Sequence, residues 1–204
     1  DAPQNGYLNR SRVSLDYIPR DNNHPYRPAI IFRMAEAYLS YAEALNECSE
    51  RMSYEQEILN NLNKIRHRAG IAEYGTGTDE NGFTRIKINF ADQKEVRRLI
   101  HKERRVEFVG EGIRYHDLRR WKTAHYGIGN MNEQGENPDW GVNGPDHGMN
   151  YYGTEYTDQG DNAFFKRTKY MDRVYPRKFY WYPIHQSEID KDPTLVQGPF
   201  WLEE

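Results

Sequence analysis

A helical period of apolar side chains follows an irregular N-terminal stretch, residues 1–27. Pro28 suits the first turn of a helix, where the missing N–H of proline removes no hydrogen bond. The next apolar positions recur every three or four residues, as one face of a helix requires. This pattern predicts a first helix carrying Ile31, Met34, Ala35, Tyr38, Tyr41, Ala42 and Leu45.

A second helix is predicted to begin at Ser53. Gln56 follows three residues later, which is the spacing of a capping box. Gly70 is placed to end the helix, because glycine readily adopts the left-handed conformation found at helix ends. The apolar face of this helix contains Ile58, Leu62, Ile65 and Ala69. The two helices predict an antiparallel hairpin over residues 28–70.

The pattern after the hairpin predicts a loop and then two more helices. Residues 71–91 are rich in Gly, Thr and Asp, with a short strand-like stretch at 85–89. Asp92 and Glu95 then have the spacing of a helix cap. The third helix carries Val96, Leu99, Ile100 and Val106, the Gly-Glu-Gly run at 110–112 breaks it, and a fourth helix runs from about Ile113 to Lys122. Because helical hairpins bury their faces against neighbours, two hairpins resemble the end of a longer array.

The character of the chain changes at residue 125. Residues 127–163 are crowded with Gly, Asn, Asp and aromatic residues, 179–184 form an aromatic strand-like run, and 187–193 form a turn. We therefore predict a mainly α protein. It comprises an N-terminal extended segment (1–27), a helical-hairpin region (28–124) and a loop-rich aromatic region (125–204) that packs on the helices.

The composition indicates a folded chain with much polar surface. Of its 204 residues, 29% are charged and 14% aromatic, with 16 Tyr, and disordered chains are poor in aromatic residues. The net charge of −3 comes from interspersed charges of both signs, which excludes the basic surface of a nucleic-acid binder. Cys48 is the one cysteine, which excludes an intrachain disulfide and a cysteine-based metal site.

The densest charged pattern runs from Glu103 to Trp121. Glu103 and Glu107 lie four residues apart and share a helix face, and Glu103 is in phase with the apolar positions Leu99 and Val106. Paired carboxylates could act as the acid and base of a glycosidase. A buried carboxylate instead needs an arginine partner, and the segment is rich in arginine. We favour an architectural ion-pair network formed by Glu103, Arg104, Arg105, Glu107, Glu111, Arg114 and Asp117, and predict no catalytic residue.

The aromatic loop is the candidate ligand-binding site. Tyr and Trp rings stack on the apolar faces of sugars, while amide and carboxylate groups bind the hydroxyls. Alternatively, the same rings could anchor a long loop to the helices, and this interpretation is slightly favoured. The candidate residues are Trp140, Asn143, Asp146, Asn150, Tyr151, Tyr152 and Tyr156.

The sequence contains no pattern for a metal or a cofactor that is specific enough to predict one. The histidines do not have the spacing of a zinc site, and no phosphate- or dinucleotide-binding glycine motif is present. Asp158 and Asp161 could bind calcium, but turn chemistry alone accounts for them.

Four segments in order resemble one family. Residues 33–47 match R-x-A-E-x-x-L-x-x-A-E-A-L-N-E, residues 62–70 match L-N-x-I-R-x-R-A-G, and residues 103–121 match E-R-R-x-E-F-x-x-E-G-x-R-x-x-D-L-R-R-W. Residues 182–197 resemble W-P-I-P-x-x-E-I-x-x-N-P-x-L-x-Q, with His185 in place of the second proline. Together they resemble the C-terminal part of SusD/RagB proteins, although residues 198–201 depart from the usual N-P-G-W ending.

The resemblance implies tetratricopeptide-like helix pairs in a SusD-like α/α superhelix. It also implies a lipoprotein of the outer membrane, at the cell surface, whose lipid anchor lies upstream of this chain. The implied partners are a SusC-like TonB-dependent transporter and an oligosaccharide or peptide ligand, with no nucleic acid, no cofactor and no catalysis. A glycoside hydrolase and a helical-repeat scaffold for a protein partner remain the alternatives.

Overall fold

The computed structural model describes residues 30–127 and 141–202. The predicted N-terminal segment, Pro28 and Trp140 therefore lie outside the described residues. The chain divides into two compact units, and of the described residues 30–114 belong to the first, the helical unit, and 115–127 with 141–202 to the second, the aromatic unit. The boundary between the units falls inside a helix, Ile113–Arg120.

The helical unit contains a helical hairpin and a third long helix. Helix α1 spans Met34–Glu47, α2 spans Glu55–Ala69 after a 3-10 turn at Arg51–Tyr54, and α3 spans Gln93–Glu107. Helix α4, Ile113–Arg120, follows and crosses the unit boundary. The predicted start of the first helix was too early, because residues 30–33 are not helical and Arg33 has an extended backbone.

The helix ends confirm two of the three predicted signals. The Asp92 side chain accepts hydrogen bonds from the backbone N–H groups of Lys94 and Glu95, so it caps α3. Gly70 adopts the left-handed conformation, with φ of 67°, and ends α2. The cap predicted at Ser53 was wrong: its hydroxyl donates to the Glu50 carbonyl at 2.7 Å, because a 3-10 turn precedes α2.

The core of the helical unit lies where α1, α2 and α3 meet. Leu39, Leu62, Val96 and Ile100 are fully buried there. Val106 was predicted to join them but is 64% exposed, since the end of α3 is buried through Glu103, Arg104 and Phe108 instead.

The loop between α2 and α3 is held by hydrogen bonds and not by strands. The strand-like stretch at 85–89 forms only a single-residue bridge, between Tyr74 and Ile86. The buried Asp79 carboxylate accepts hydrogen bonds from the backbone N–H groups of Glu73, Asn81 and Phe83. A turn-forming aspartate thus fixes the backbone of this loop.

The aromatic unit contains a hairpin that the sequence did not predict. Strand β1, Gly144–Met149, pairs antiparallel with β2, Arg167–Arg173, with an irregularity after Asp146. A 3-10 turn at Arg177–Tyr180 occupies the start of the predicted aromatic strand, which does not form, and α5, Gln186–Lys191, replaces part of the predicted turn. Leu118, Ala124 and Tyr175 form its small core.

The described residues are rich in helix and contain little sheet, which confirms the mainly α prediction. Over the ranges 30–127 and 141–202, none of the helices combines the length and the apolar character needed to span a bilayer.

Candidate functional site

The connection between β1 and β2 forms a compact lobe, residues 150–166, which we call the aromatic lobe. Its two arms are joined by backbone hydrogen bonds: Thr154 N–H donates to Asn162 at 2.9 Å, and Phe164 N–H donates to Glu155 at 2.7 Å. The arms approach so closely at Gly153 that a Cβ there would lie 2.6 Å from the Phe164 nitrogen. The lobe is therefore a defined structure in which glycine is required at 153.

The aromatic lobe exposes an unusual number of rings. Tyr152 is 92% exposed, Tyr156 83% and Tyr151 60%. Phe164 and Phe165 lie beside Tyr156, with ring centroids 5.9 and 6.4 Å from it. Clustered aromatic side chains that remain in solvent mark an interaction surface more often than a structural role. The sequence analysis missed the two phenylalanines, although their position in the same aromatic run could have revealed them.

The polar candidates have roles within the fold. The Asn143 side-chain amide donates to the His125 carbonyl at 2.6 Å and to the Tyr175 carbonyl at 3.2 Å. The Asn150 amide donates to the Asp161 carbonyl at 3.1 Å, at the base of the lobe. These amides position the hairpin and the lobe. Of the predicted tyrosines, Tyr151 and Tyr152 lie together, whereas Tyr156 lies beside the two phenylalanines.

Asp146 is an ion-pair partner on the hairpin. Its carboxylate accepts hydrogen bonds from the Tyr170 hydroxyl and from Arg173 Nε, the latter at 2.7 Å. Burial pushes the pKa of Asp146 upward, but these two hydrogen bonds, the Arg173 charge and a backbone hydrogen bond from His147 together hold the pKa below its ordinary value. The carboxylate therefore stays charged and links the two strands.

The calcium hypothesis rested on Asp158 and Asp161. The Asp161 carboxylate accepts a hydrogen bond from Lys166 Nζ at 2.8 Å, and this contact lowers its pKa. Within the ranges that the structure describes, no three His, Cys, Asp or Glu side chains are grouped so that they could hold a metal ion.

Glu103 lies in the interior of the helical unit with partners from other segments. Its side chain is 8% exposed. Oε1 accepts hydrogen bonds from Arg66 Nη1 on α2 and from the Tyr74 hydroxyl, the latter at 2.8 Å. The Arg66 guanidinium also lies over the Tyr74 ring, 4.3 Å from its centroid. Burial, the neighbouring Glu103 charge and the hydrogen bond from the Tyr74 hydroxyl to Glu103 raise the pKa of Tyr74 well above its ordinary value.

Two further carboxylates meet the arginines at the ends of α1 and α2. Arg33 donates to Glu107 and, at 2.8 and 3.0 Å, to both carboxylate oxygens of Glu111. Arg68 donates to both oxygens of Glu107 at 2.6 Å. Sequence analysis missed Arg33, Arg66 and Arg68 as partners, although all three stand in the motifs quoted above.

The other charged residues of the predicted network are more dispersed. Arg104 is buried and donates to the Ser40 hydroxyl at 3.0 Å, while Arg105 is exposed and Arg114 half-buried. Asp117, in the aromatic unit, is buried and accepts from Arg120 Nε at 3.0 Å.

The geometry at Glu103 and Glu107 is that of ion pairing. Arginine and tyrosine groups occupy the carboxylate oxygens, and ionised carboxylates held in this way serve to fix helix packing. A glycosidase needs two carboxyl groups that face a sugar between them. The arrangement therefore supports an architectural role for the pair.

Comparisons with known proteins decide the family. The model of the SusD family matches residues 1–201. The chain belongs to the SusD family. Within this family it is similar to SusD-like protein P25 of Formosa agariphila, at 35% identity over 109 residues, and to SusD-like protein P38 of the same organism, at 32% over 103 residues. These matches cover 53% and 50% of the chain.

A solved SusD-like structure supports the same assignment. The crystal structure of a SusD-like protein from Bacteroides fragilis has a TM-score of 0.54 and 27% identity over 84% of this chain. The matched part is 26% of that protein, and it is 18% and 19% of the two Formosa relatives. This SusD-family chain therefore spans only a minor part of the length of the relatives it matches.

Proposed function

We propose that this chain is part of a non-catalytic protein that captures nutrient oligomers, above all glycans, at the cell surface for import. SusD-family membership implies nutrient- or glycan-binding lipoproteins. The observation that carries the proposal to this chain is the aromatic lobe, whose exposed tyrosines offer flat rings to a sugar. A pair of neighbouring rings, such as Tyr151 and Tyr152 with centroids 6.0 Å apart, could contact successive units of an oligomer.

The proposal includes a transporter and a membrane anchor. We infer that the full-length protein associates with a SusC-like TonB-dependent transporter in the outer membrane and passes its ligand to it. The full-length protein is attached to the membrane through a lipid. Family membership supports both statements. Co-isolation of the transporter with the full-length protein from detergent-solubilised outer membranes is the expected result.

Affinity gel electrophoresis tests ligand capture. The chain is run through native gels containing soluble starch, xylan, glucomannan, laminarin, pectin or alginate. We expect at least one polysaccharide to retard it, and Tyr152→Ala combined with Tyr156→Ala to weaken the retardation clearly. Tyr54→Ala is the matched control, because Tyr54 is also partly exposed but lies in the helical unit.

Three outcomes contradict the proposal. Retardation of the double variant that is as strong as that of the parent chain shows that the lobe does not bind the ligand. If no polysaccharide retards either the chain or the full-length protein, capture of the glycans in this panel is excluded. Release of reducing sugar by the purified chain would establish an enzyme instead.

A further inference from the structure

A second concave surface lies in the helical unit, beside α2. This groove, which we call the α2 groove, has a volume of about 1150 Å³ and lies between α2 and residues 73–90. It shares no residue with the aromatic lobe, and none of its lining residues was a candidate for ligand binding in the sequence analysis. Small-molecule sites are usually concave clefts with a few well-placed polar groups.

The helix side of the α2 groove presents amides and a ring. Gln56, Asn60 and Asn63 follow one another at four and three residues, so they lie along one face of α2. The Gln56 amide donates to Asn60 Oδ1 at 2.9 Å, which leaves the Asn60 NH₂ group and the Gln56 oxygen for a ligand. Lys64 lies 4.3 Å from the centroid of the half-buried Tyr38 ring.

The opposite wall presents charged groups of both signs. The buried Glu73 carboxylate accepts from Arg85 Nη2 at 2.9 Å and lies 3.2 Å from His67 Nδ1, so it is committed to the protein. Glu80 and Lys87 also line the groove and are exposed. The groove therefore offers amide, ammonium and carboxylate groups facing one space.

The loop that forms the wall opposite α2 is held in place before any ligand binds. Asn63 donates to the Tyr74 carbonyl at 2.9 Å and accepts from the Tyr74 N–H at 2.8 Å, which ties the loop to α2. The buried Asp79 carboxylate fixes the rest of the loop through backbone N–H groups. A preorganised wall lowers the entropy lost on binding.

We infer that the α2 groove is a second oligosaccharide-binding site, which contacts sugar hydroxyls through Gln56, Asn60 and Lys87. Donors and acceptors are present on both walls, and they match the hydroxyls of a sugar, each of which donates and accepts. An extended peptide fits less well, because it needs free backbone groups. In this loop the backbone N–H groups already donate hydrogen bonds to other loop residues at Gly75, Arg85 and Ile86. The inference rests on the proposed function, since it adds a site for the same class of ligand.

Nitrogen-15 NMR of the 204-residue chain tests the site. The probes are hexasaccharides derived from each polysaccharide of the electrophoresis panel. We expect at least one probe to shift the side-chain NH₂ signals of Gln56 and Asn60 with saturable dependence on concentration. Asn60→Ala or Lys87→Ala should weaken that binding about 3- to 10-fold, the loss of one hydrogen bond. Lys102→Ala, at an exposed position on α3, should leave it unchanged.

The same spectra separate this inference from the proposed function. Shifts confined to residues 150–166 support capture by the aromatic lobe and overturn the α2 groove. Shifts confined to the groove support the inference and refute the lobe as the ligand surface. If no probe shifts the Gln56 and Asn60 amides, or if Asn60→Ala and Lys87→Ala both bind as the parent chain does, the inference is wrong.

Discussion

Glu103 carries a charge into the core of the helical unit, and its surroundings determine what that charge does for stability. A carboxylate that is 8% exposed has lost most of its hydration, and Arg66 and Tyr74 replace the lost hydrogen bonds. A buried pair of this kind stabilises little in comparison with an apolar pair, but the loss of one partner leaves the other charge buried and unpaired. Glu103 therefore matters most for the arrangement of α2, α3 and the Tyr74 loop.

Replacing Glu103 by Ala should lower the free energy of unfolding by about 3–5 kcal/mol, because Arg66 would lose its buried partner. Guanidinium denaturation followed by far-UV circular dichroism measures the loss. Lys102→Ala, one position earlier on the exposed side of α3, is the control and should change stability by less than about 0.5 kcal/mol. A loss for Glu103→Ala as small as that of the control would show that the pair carries no structural load.

Ionisation of Tyr74 lowers the stability of the folded chain at alkaline pH. Burial and Glu103 raise its pKa in the folded state, whereas the unfolded chain ionises near the usual value of about 10. Above that pH the unfolded state has lost a proton that the folded state keeps, so stability falls as pH rises. We expect the parent chain to lose more stability between pH 9 and 11 than Tyr74→Phe does.

The measurement is the denaturation midpoint of both proteins across this pH range. Tyr74→Phe should start about 1–3 kcal/mol less stable at pH 8, because the hydrogen bond to Glu103 is gone. Parallel curves for the two proteins would show that Tyr74 does not ionise differently on folding.

The burial of Glu103 was predictable from sequence, but its partners were not. Helical phase places Glu103 in line with Leu99, and this suffices to expect a buried carboxylate. Phase relates residues only within one helix, so it suggested arginines of the same segment. The observed partners are Arg66 and Tyr74, which are 37 and 29 residues away in sequence. Only the tertiary arrangement of helices brings them together.

Two helix caps were predicted from the sequence: Asp92 caps α3, whereas Ser53 does not cap α2. Asp92→Ala should destabilise the chain by about 0.5–2 kcal/mol, because the first turn of α3 loses two hydrogen bonds to the Asp92 carboxylate. Ser53→Ala should cost less than about 0.5 kcal/mol, since Ser53 lies in the 3-10 turn and caps no helix. Thermal unfolding of the two variants compares them directly, and equal losses would contradict the observed start of α2.

The β1–β2 hairpin shows why one element escaped prediction. Strand β1 contains two glycines and a proline, and every residue of β2 is exposed, so neither has the alternating apolar pattern of a strand. The connection of 17 residues between Met149 and Arg167 also hides the pairing, since hairpin signals depend on short turns. The strands are stabilised instead by side-chain contacts such as that of Asp146 with Arg173.

Over the described residues the chain has two units with separate cores, and the core of the helical unit is the larger of the two. The helical unit has a continuous cluster centred on Leu39, Leu62 and Ile100, whereas the aromatic unit relies on Leu118, Ala124 and Tyr175. The mainly α class and the family were predictable because long amphipathic helices and four motifs in order are strong signals. The structure of the aromatic unit was not, because irregular loops held by individual side chains carry no period.

Leu118→Ala tests whether each core stabilises its own unit. Removing a side chain that is 7% exposed should cost about 2–5 kcal/mol. Hydrogen exchange read by mass spectrometry should show faster exchange in residues 115–127 and 141–202, with less change in α1, α2 and α3. A uniform increase across the chain would instead indicate one cooperative unit.

The residue at position 153 shows from the gene sequence alone whether a relative can form the aromatic lobe. Any side chain there would collide with the backbone at Phe164 and Ala163, so the lobe cannot tolerate even a methyl group at this position. A relative with the same helical motifs but another residue at the corresponding position must connect its two strands differently. It then presents other rings, or none, to the surroundings. The codon at this position therefore identifies the relatives that cannot form this lobe.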